Sequence, residues 1–430
     1  MGIISATTMA DESILTDDFI RQLIDVGEVD ILVGVPTHND AKTVEPAIRA
    51  IQAGIVKTFP RERAVIINAD GGSSDGTPDV IMGASIDDLH RSFNGYTLRT
   101  LHAISTRYAN SPSSATALRT ILAAAELLRA RACTVICPES DNIEAEGVAN
   151  LLRPVYRDHF DFVAPIYRRH KFEGVLLSNL LYPMTRALFG QRIREPYASE
   201  FGFSGRLASQ FLTQNKWSEE SQDYDPELGL TITALSDGCR ICQAFLGGRP
   251  PTKRQSRDLV HAMRQTVGVL FSSLESTFPV WSSKTASQPV PTLGPEFDVS
   301  TDPLRINRKQ LKEMFSAGVL DLESVLRSIL SSSTLSELQQ IAALPEDEFR
   351  FHPELWVKAV YEFAASYHNS VMSRDHILQA LVPLYRGRMF TFLLENRTSS
   401  AAEVGNNIEN LCLEFERLKP YLLELWDGRK

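Results

Sequence analysis

Val29-Asp30-Ile31-Leu32-Val33-Gly34-Val35-Pro36-Thr37-His38-Asn39-Asp40, followed one helix later by Ala64-Val65-Ile66-Ile67-Asn68-Ala69-Asp70-Gly71-Gly72-Ser73-Ser74-Asp75-Gly76-Thr77, is the stretch on which the fold turns. Each half begins with a short apolar run of strand length and ends in a turn rich in Asp, Asn, Ser and Gly. Asn39 or Asp40 is available to cap the helix that opens after the first run. The apolar runs have no polar alternation, which predicts parallel strands buried on both faces and therefore a βαβ unit. Open sheets of this kind bind ligands beyond the carboxyl ends of their strands, where His38, Asn39, Asp40 and Asp70 are placed. The bland account of the second turn is that Gly71, Gly72 and Gly76 only reverse the chain while Asp75 caps the next helix.

The rest of the chain extends the pattern. A chain of 430 residues is long enough for two domains, or for one large domain with a helical appendage. The net charge of −9 argues against a nucleic-acid partner, and no apolar run reaches membrane-spanning length. The N-terminus has no basic region leading into an apolar one, so a cytoplasmic location is expected. Five cysteines make no disulfide framework. Cys239 and Cys242 have C-x-x-C spacing but sit at a strand start, where i and i+3 face opposite ways, so they are expected in the core.

Residues 17–26 predict a short amphipathic helix, 77–89 a second helix, 96–101 a strand, 115–131 an Ala/Leu-rich helix, and 133–137 another buried strand. Alternation of strand and helix indicates an α/β sandwich with a mainly parallel sheet. Pro138-Glu139-Ser140-Asp141-Asn142 follows that last strand, and a helix begins near Ala145, for which Asp141 or Asn142 is a candidate cap. Phe162-Val163-Ala164-Pro165 is a further strand, which leads into the cations Arg168, Arg169, His170 and Lys171. An apolar helix interrupted by Pro183 spans 175–190. Residues 272–303 turn to Ser, Thr and Pro and suggest an extended crossing segment. Beyond it the sequence is helical. Val404, Ile408, Leu411, Phe415, Leu418 and Leu422 form a seam for packing on another helix, in the same or a second chain, so a homodimer is plausible. Arg386-Gly387-Arg388 is expected in a surface turn. The boundaries drawn are 1–28 for a leader and short helix, 29–271 for an α/β domain, 272–303 for the crossing segment and 304–430 for a helical domain.

Pro36 to Asp40 and Asp70 to Thr77 resemble the P-x-x-N-E and D-D-G-S-x-D-x-T loops of GT-A glycosyltransferases, and Glu139-Ser140-Asp141 resembles their D-x-D motif. Glu195-Pro196-Tyr197-Ala198-Ser199-Glu200 with Arg206, together with Asp223-Tyr224-Asp225-Pro226-Glu227, is similar to the retaining members that make glucosylglycerate, glucosyl-3-phosphoglycerate and mannosylglycerate. The resemblance covers residues 29–260. It implies a GT-A fold and transfer of a hexose from a nucleotide diphosphate sugar, such as UDP-glucose or GDP-mannose, to a small hydroxy acid. It places Asp70 against the base, Pro36, Thr37, Asn39, Asp40 and Gly71 around the nucleoside, and Ser140 beside the donor. Asp141, with Glu139, would hold a Mg2+ or Mn2+ ion through hard oxygen ligands. Glu200, Asp223 and Glu227 would have catalytic or positioning roles, and Arg168, Arg169, Lys171 and Arg206 would meet the acceptor. The family's G-K-G lysine is absent from 110–114, and Arg107 is the substitute. Its late metal-binding histidine is also missing, His261 being the nearest.

Two other readings stay open. A nucleotidyltransferase shares the fold class but usually shows a Gly-rich, Arg/Lys-bearing signature near its first strand, which is missing here. The second is a catalytically silent relative that binds nucleotide sugar or serves as an oligomeric partner.

Overall fold

The computed structural model describes residues 15–83, 92–93, 96–97, 100–108, 113–138, 143–213, 226–248, 259–294 and 308–428. The chain divides into two compact units, residues 1–163 with 199–222 and residues 164–198 with 223–430.

The first unit is built on strands β1 (Ile31–Thr37), β2 (Arg63–Asp70), β3 (Thr100–Arg107) and β4 (Ala132–Val135). β2 lies between β1 and β3, β4 lies on the other side of β1, and all four run parallel, as the apolar runs of β1 and β2 predict for that pair. Strand β5 (Phe162–Arg168) begins in this unit, and β6 (Phe201–Ser204) pairs antiparallel with both β4 and the start of β5. The order therefore reverses at β1 and β4, the kind of switch point beside which α/β sheets bind ligands. The βαβ reading of 29–77 holds, and the fold class is α/β with a mostly parallel sheet.

Helices α1 (Asp17–Val26), α2 (Ala41–Thr58), α3 (Thr77–Met82), α4 (Ser114–Leu127) and α5 (Ala145–Asp158) surround these strands. Helix α1 buries Phe19, Leu23 and Val26, while Ile24, expected on one face with Phe19, Ile20 and Leu23, is 65% exposed. α2 packs on α5, and α4 lies over β1 and β2. This approach depends on Gly34, since a Cβ there would stand 2.4 Å from the Ile121 side chain. The expected helix over 77–89 is described only as far as Met82. Of the strand anticipated at 96–101, Tyr96–Thr97 pairs antiparallel with Ser92–Phe93, and Thr100 and Leu101 open the strand that joins the sheet and runs on to Arg107. Helix α5 starts at Ala145 with Glu144 as its N-cap residue, and the candidate caps Asp141 and Asn142 lie outside the described residues.

In the second unit β7 (Ile241–Gly248) neighbours β5, and β8 (Thr292–Leu293) pairs parallel with β7. Cys239 and Cys242 are buried, the core role expected of them. The segment around Pro183 is a π-helical turn, Leu177–Leu181, running into an α-helix, Tyr182–Phe189, with the proline in its first turn. The π-helical turn thus lies just before the proline, where the helix must accommodate a missing N–H.

Two sequence expectations change in this unit, and the helical seam finds partner helices within the chain. The segment expected to extend from residue 272 is helical through Val269–Ser276 and Phe278–Trp281. Arg386-Gly387-Arg388 lies inside the helix Arg374–Glu395, and Arg388 is buried there, bonded to Asn179 Oδ1 and Phe351 O. Desolvation pushes its guanidinium down to about 10, with Glu395 pulling the other way. The seam on Ala401–Trp426 packs within the chain, against Pro353–Asn369 and Tyr182–Phe189, and buries Val404, Leu411, Phe415 and Leu422.

Candidate donor site at the strand tips

The register of the first unit brings the two turns together. Thr37 is paired with Asp70, and Asp70 with Arg107, so three strand ends meet on one edge. Gly71 N–H donates to Thr37 O at 2.8 Å, closing the first contact between the turns. Asp70 is only 2 % exposed. Its Oδ1 accepts from the hydroxyls of Thr37, at 2.9 Å, and Ser73. Its Oδ2 accepts from the N–H groups of Gly72, at 2.9 Å, and Ser73, at 2.8 Å. A carboxylate has about four acceptor positions, and here four are filled. Asp70 therefore organises the loop from inside, whereas the resemblance puts it against the base.

The turns are then fastened to each other. Asn39, in the left-handed region with φ 58°, donates its N–H to Ser73 Oγ and accepts from Ser74 N–H at Oδ1. Asp40 does not cap α2 with its carboxylate, which turns back to His38 N–H; instead its own N–H donates to Thr77 Oγ1. The cap arrives from the other turn, for Asp75 Oδ2 accepts the Ala41 N–H at 3.0 Å while Oδ1 accepts from Thr77 N–H and the Thr77 hydroxyl. One exposed carboxylate thus serves the starts of both α2 and α3.

The Thr77 hydroxyl, followed by the Ala41 N–H, holds the Asp75 carboxyl below its ordinary 3.8. A depressed carboxyl stabilises the fold above its unfolded pKa, and the contribution is lost as pH falls through the lower folded value. Amide exchange in the peptide covering 38–42 is therefore expected to accelerate below about pH 4 and to lose this pH dependence in Asp75→Asn. Identical profiles in the two proteins would remove Asp75 from the interlock.

Arg107 is exposed, and its guanidinium lies over Gly72, whose φ is +87° and where a Cβ would come within 2.7 Å of Nη2. The positive φ favours glycine there, and the missing side chain lets the arginine lie close over the turn. Pro36 is half-buried in β1 at the same edge. Phe201 pairs with Val135 at the carboxyl end of β4, so Glu200, 1 % exposed, also belongs to this edge. Arg206 does not. Ser204 pairs with Ala132, the first residue of β4, so Arg206 lies at the amino end of the parallel strands, where it binds Asp161. Antiparallel passage of β6 across the sheet separates Glu200 from Arg206.

Arg168, Arg169, Lys171 and Glu227 belong to the second unit. Arg169 makes two 2.8 Å bonds to Glu195, and buried Lys171 donates to the carbonyls of Arg397 and Ser399. Both are committed to the fold. Arg168 is exposed beside Gly248. Glu227 lies in the first turn of the helix Pro226–Ser236, and its Oε2 is buried with no hydrogen-bond partner among the described residues. Glu139, Ser140, Asp141 and Asp223 lie outside the described residues, as does any metal geometry they provide. Among the described residues no three His, Cys, Asp or Glu side chains are grouped to hold a metal ion. β4 does carry the chain to the right edge, since Ile136 N–H donates to Gly34 O and the strand leaves toward Pro138.

The residues missed at sequence level are Asn68, Ser73, Thr77 and Ser105. The available signal was Asn68 two places before Asp70, hence on the same face of a strand that is otherwise apolar.

No family model matches the chain, and no curated protein matches it. Among solved structures the chain is similar to glucosyl-3-phosphoglycerate synthase from Mycobacterium tuberculosis in complex with Mn2+, UDP and glucosyl-3-phosphoglycerate, at 19% identity over 63% of this chain and 87% of that one, with a TM-score of 0.40. The same enzyme with Mg2+ and UDP gives 18% identity over 60% and 83% of the two chains and a TM-score of 0.40. With Mn2+, UDP-glucose and phosphoglyceric acid it gives 20% identity over 63% and 86%, and a TM-score of 0.39.

Proposed function

We propose that this chain is a metal-dependent, retaining glycosyltransferase of the GT-A kind, which moves a hexose from a nucleotide diphosphate sugar to a small hydroxy acid such as glycerate. The observation that carries the reading is the interlock of the 37–41 and 70–77 turns at the tips of adjacent parallel strands, with Arg107 and Glu200 on the same edge. In this reading residues 29–271 form the catalytic domain, 304–430 a helical domain and 272–303 the connection.

The interlocked turns supply a rigid cradle for the nucleoside, with Asn39 and His38 at its rim and Asp70 fixing its shape. Arg107 offers a planar, permanently charged fork to the diphosphate. A divalent cation bound by Asp141 and Glu139 would offset the charge of the departing diphosphate. Glu200, at the same edge of the first unit, positions the donor. The acceptor hydroxyl forms the new glycosidic bond on the face where the sugar–phosphate bond breaks, and its proton passes to a leaving phosphate oxygen. A homodimer is not needed for this chemistry, since the seam that suggested one packs inside the chain.

The test is incubation with UDP- and GDP-hexoses, Mn2+ and a panel of hydroxy acids, read by mass spectrometry. A hexosylated acid with release of nucleoside diphosphate is expected. Saturable donor binding without product across the whole panel would select the silent relative, which the missing lysine and histidine favour.

A further inference from the structure

Asn68 is the polar residue that the functional reading does not use. It is 0 % exposed and lies in β2, preceded by three buried apolar residues, Val65, Ile66 and Ile67. Its Nδ2 donates to Val35 O at 2.9 Å and to Thr37 Oγ1 at 2.7 Å, and its Oδ1 accepts from Ser105 Oγ at 2.7 Å. Val35 and Ser105 are its register partners on β1 and β3, so one amide spans three strands a single layer beneath Asp70.

The bonds have a direction. A hydroxyl has one proton, and because Thr37 Oγ1 accepts from Asn68, that proton is left for Asp70 Oδ1. Asp70 then takes the N–H groups of Gly72 and Ser73, and Ser73 Oγ takes the Asn39 N–H. The sequence of donors thus runs from Ser105 through Asn68 and Thr37 to Asp70, where the donation from Ser73 also ends.

An apolar side chain at 68 alone would leave the Val35 carbonyl and the Thr37 and Ser105 hydroxyls without this partner and so destabilise, whereas a strand apolar at all these positions would need no such network. We propose that Asn68 is a positioning residue: it acts through the Thr37 hydroxyl to hold Asp70, and hence the 70–77 turn, in donor-binding form before any ligand arrives. The inference rests on the donor-site reading for its purpose, but its geometry is testable without a nucleotide.

Asn68→Leu keeps the number of side-chain atoms and removes every hydrogen bond. Hydrogen exchange of the 71–74 amides is expected to accelerate about tenfold, the scale of one or two lost net hydrogen bonds, and by more than that of the amides of α4 and α5, which report any general loss of stability. If the wild type binds a nucleotide sugar, the variant's donor Kd is expected to rise by a similar factor with the acceptor KM unchanged. Thr37→Val should give the same loosening, and the double variant should add nothing to it, because both act along one path. If Asn68→Leu does not fold, Ser105→Ala, which disturbs only the far end of the relay, should still accelerate 71–74 exchange, by about twofold. Unchanged exchange at 71–74 in both variants, or full additivity with Thr37→Val, would overturn the inference. Accelerated exchange together with a wild type that binds no nucleotide would leave the relay standing and reject the donor reading instead.

Discussion

Asp70→Ala will release the 70–77 turn, lower stability by about 2–4 kcal/mol and weaken nucleotide-sugar binding by at least about a hundredfold. The size follows from what the side chain holds. Two hydroxyls and two backbone N–H groups end on one carboxylate with 2 % exposure. Bonds to a charged acceptor are worth more than neutral ones, and truncation leaves several donors with no partner at once. Asp70→Asn separates charge from geometry. Its single oxygen can still take the Gly72 and Ser73 N–H groups, while its amide faces the Thr37 and Ser73 hydroxyls. These can turn to accept, at the cost of their own bonds. The asparagine variant is therefore expected to lose clearly less than the alanine variant, by calorimetry for donor affinity and by chemical denaturation for stability. Wild-type donor affinity in Asp70→Ala would show that the turn is shaped by something else.

Arg186→Ala carries the largest expected effect in the second unit. Arg186 is fully buried; its guanidinium makes a two-pronged bond to Glu409, at 2.6 and 2.8 Å, and another to Glu416 at 2.7 Å, with Ser287 Oγ alongside. It fastens the helix Tyr182–Phe189 to the helix Ala401–Trp426. Removing one member of a buried ion network leaves the others charged and unpaired, which costs about 3–5 kcal/mol. Glu409 is 42% exposed and can rehydrate, while Glu416, at 15%, cannot do so as well, so the lower end, about 3 kcal/mol, is expected. Trp281 and Trp356 are buried in this unit, so the urea transition followed by tryptophan fluorescence reports on it. A loss under about 1 kcal/mol would mean that water already screens the network.

How far the sequence led can be judged residue by residue. The strands of 29–77, the helix at Asp17–Val26 and the core role of Cys239 and Cys242 were legible because apolar period and turn chemistry are local properties. The meeting of Thr37 and Asp70 was legible once the strands were taken as parallel neighbours, but that of Arg107 was not, because the strand expected at 96–101 runs on to Arg107. Arg206 was not, because its place depends on β6 running against β4, and a single short strand does not announce its direction. Arg169 and Lys171 looked like free cations, but their partners, Glu195 and the carbonyls of Arg397 and Ser399, are 26 to more than 220 residues away. Arg388 misled for the same reason: Gly387 suggests a turn, yet a Cβ at that position would press within 2.5 Å of the Phe315 ring, so its glycine serves helix packing. The role of Asp70 was half legible. Its position at the strand tip followed from the pattern, while the filling of its acceptor positions depends on where four donors converge in space.

The central claim is that the strand-tip cradle of the first unit receives a nucleotide diphosphate sugar. The measurement that tests it most directly is calorimetric titration of the full chain with UDP- and GDP-hexoses, with and without Mn2+. The account predicts saturable, one-to-one binding of one of the two nucleotide classes, strengthened by the metal and lost in Asp70→Ala. Absence of binding for every donor, or binding that Asp70→Ala leaves intact, would contradict it.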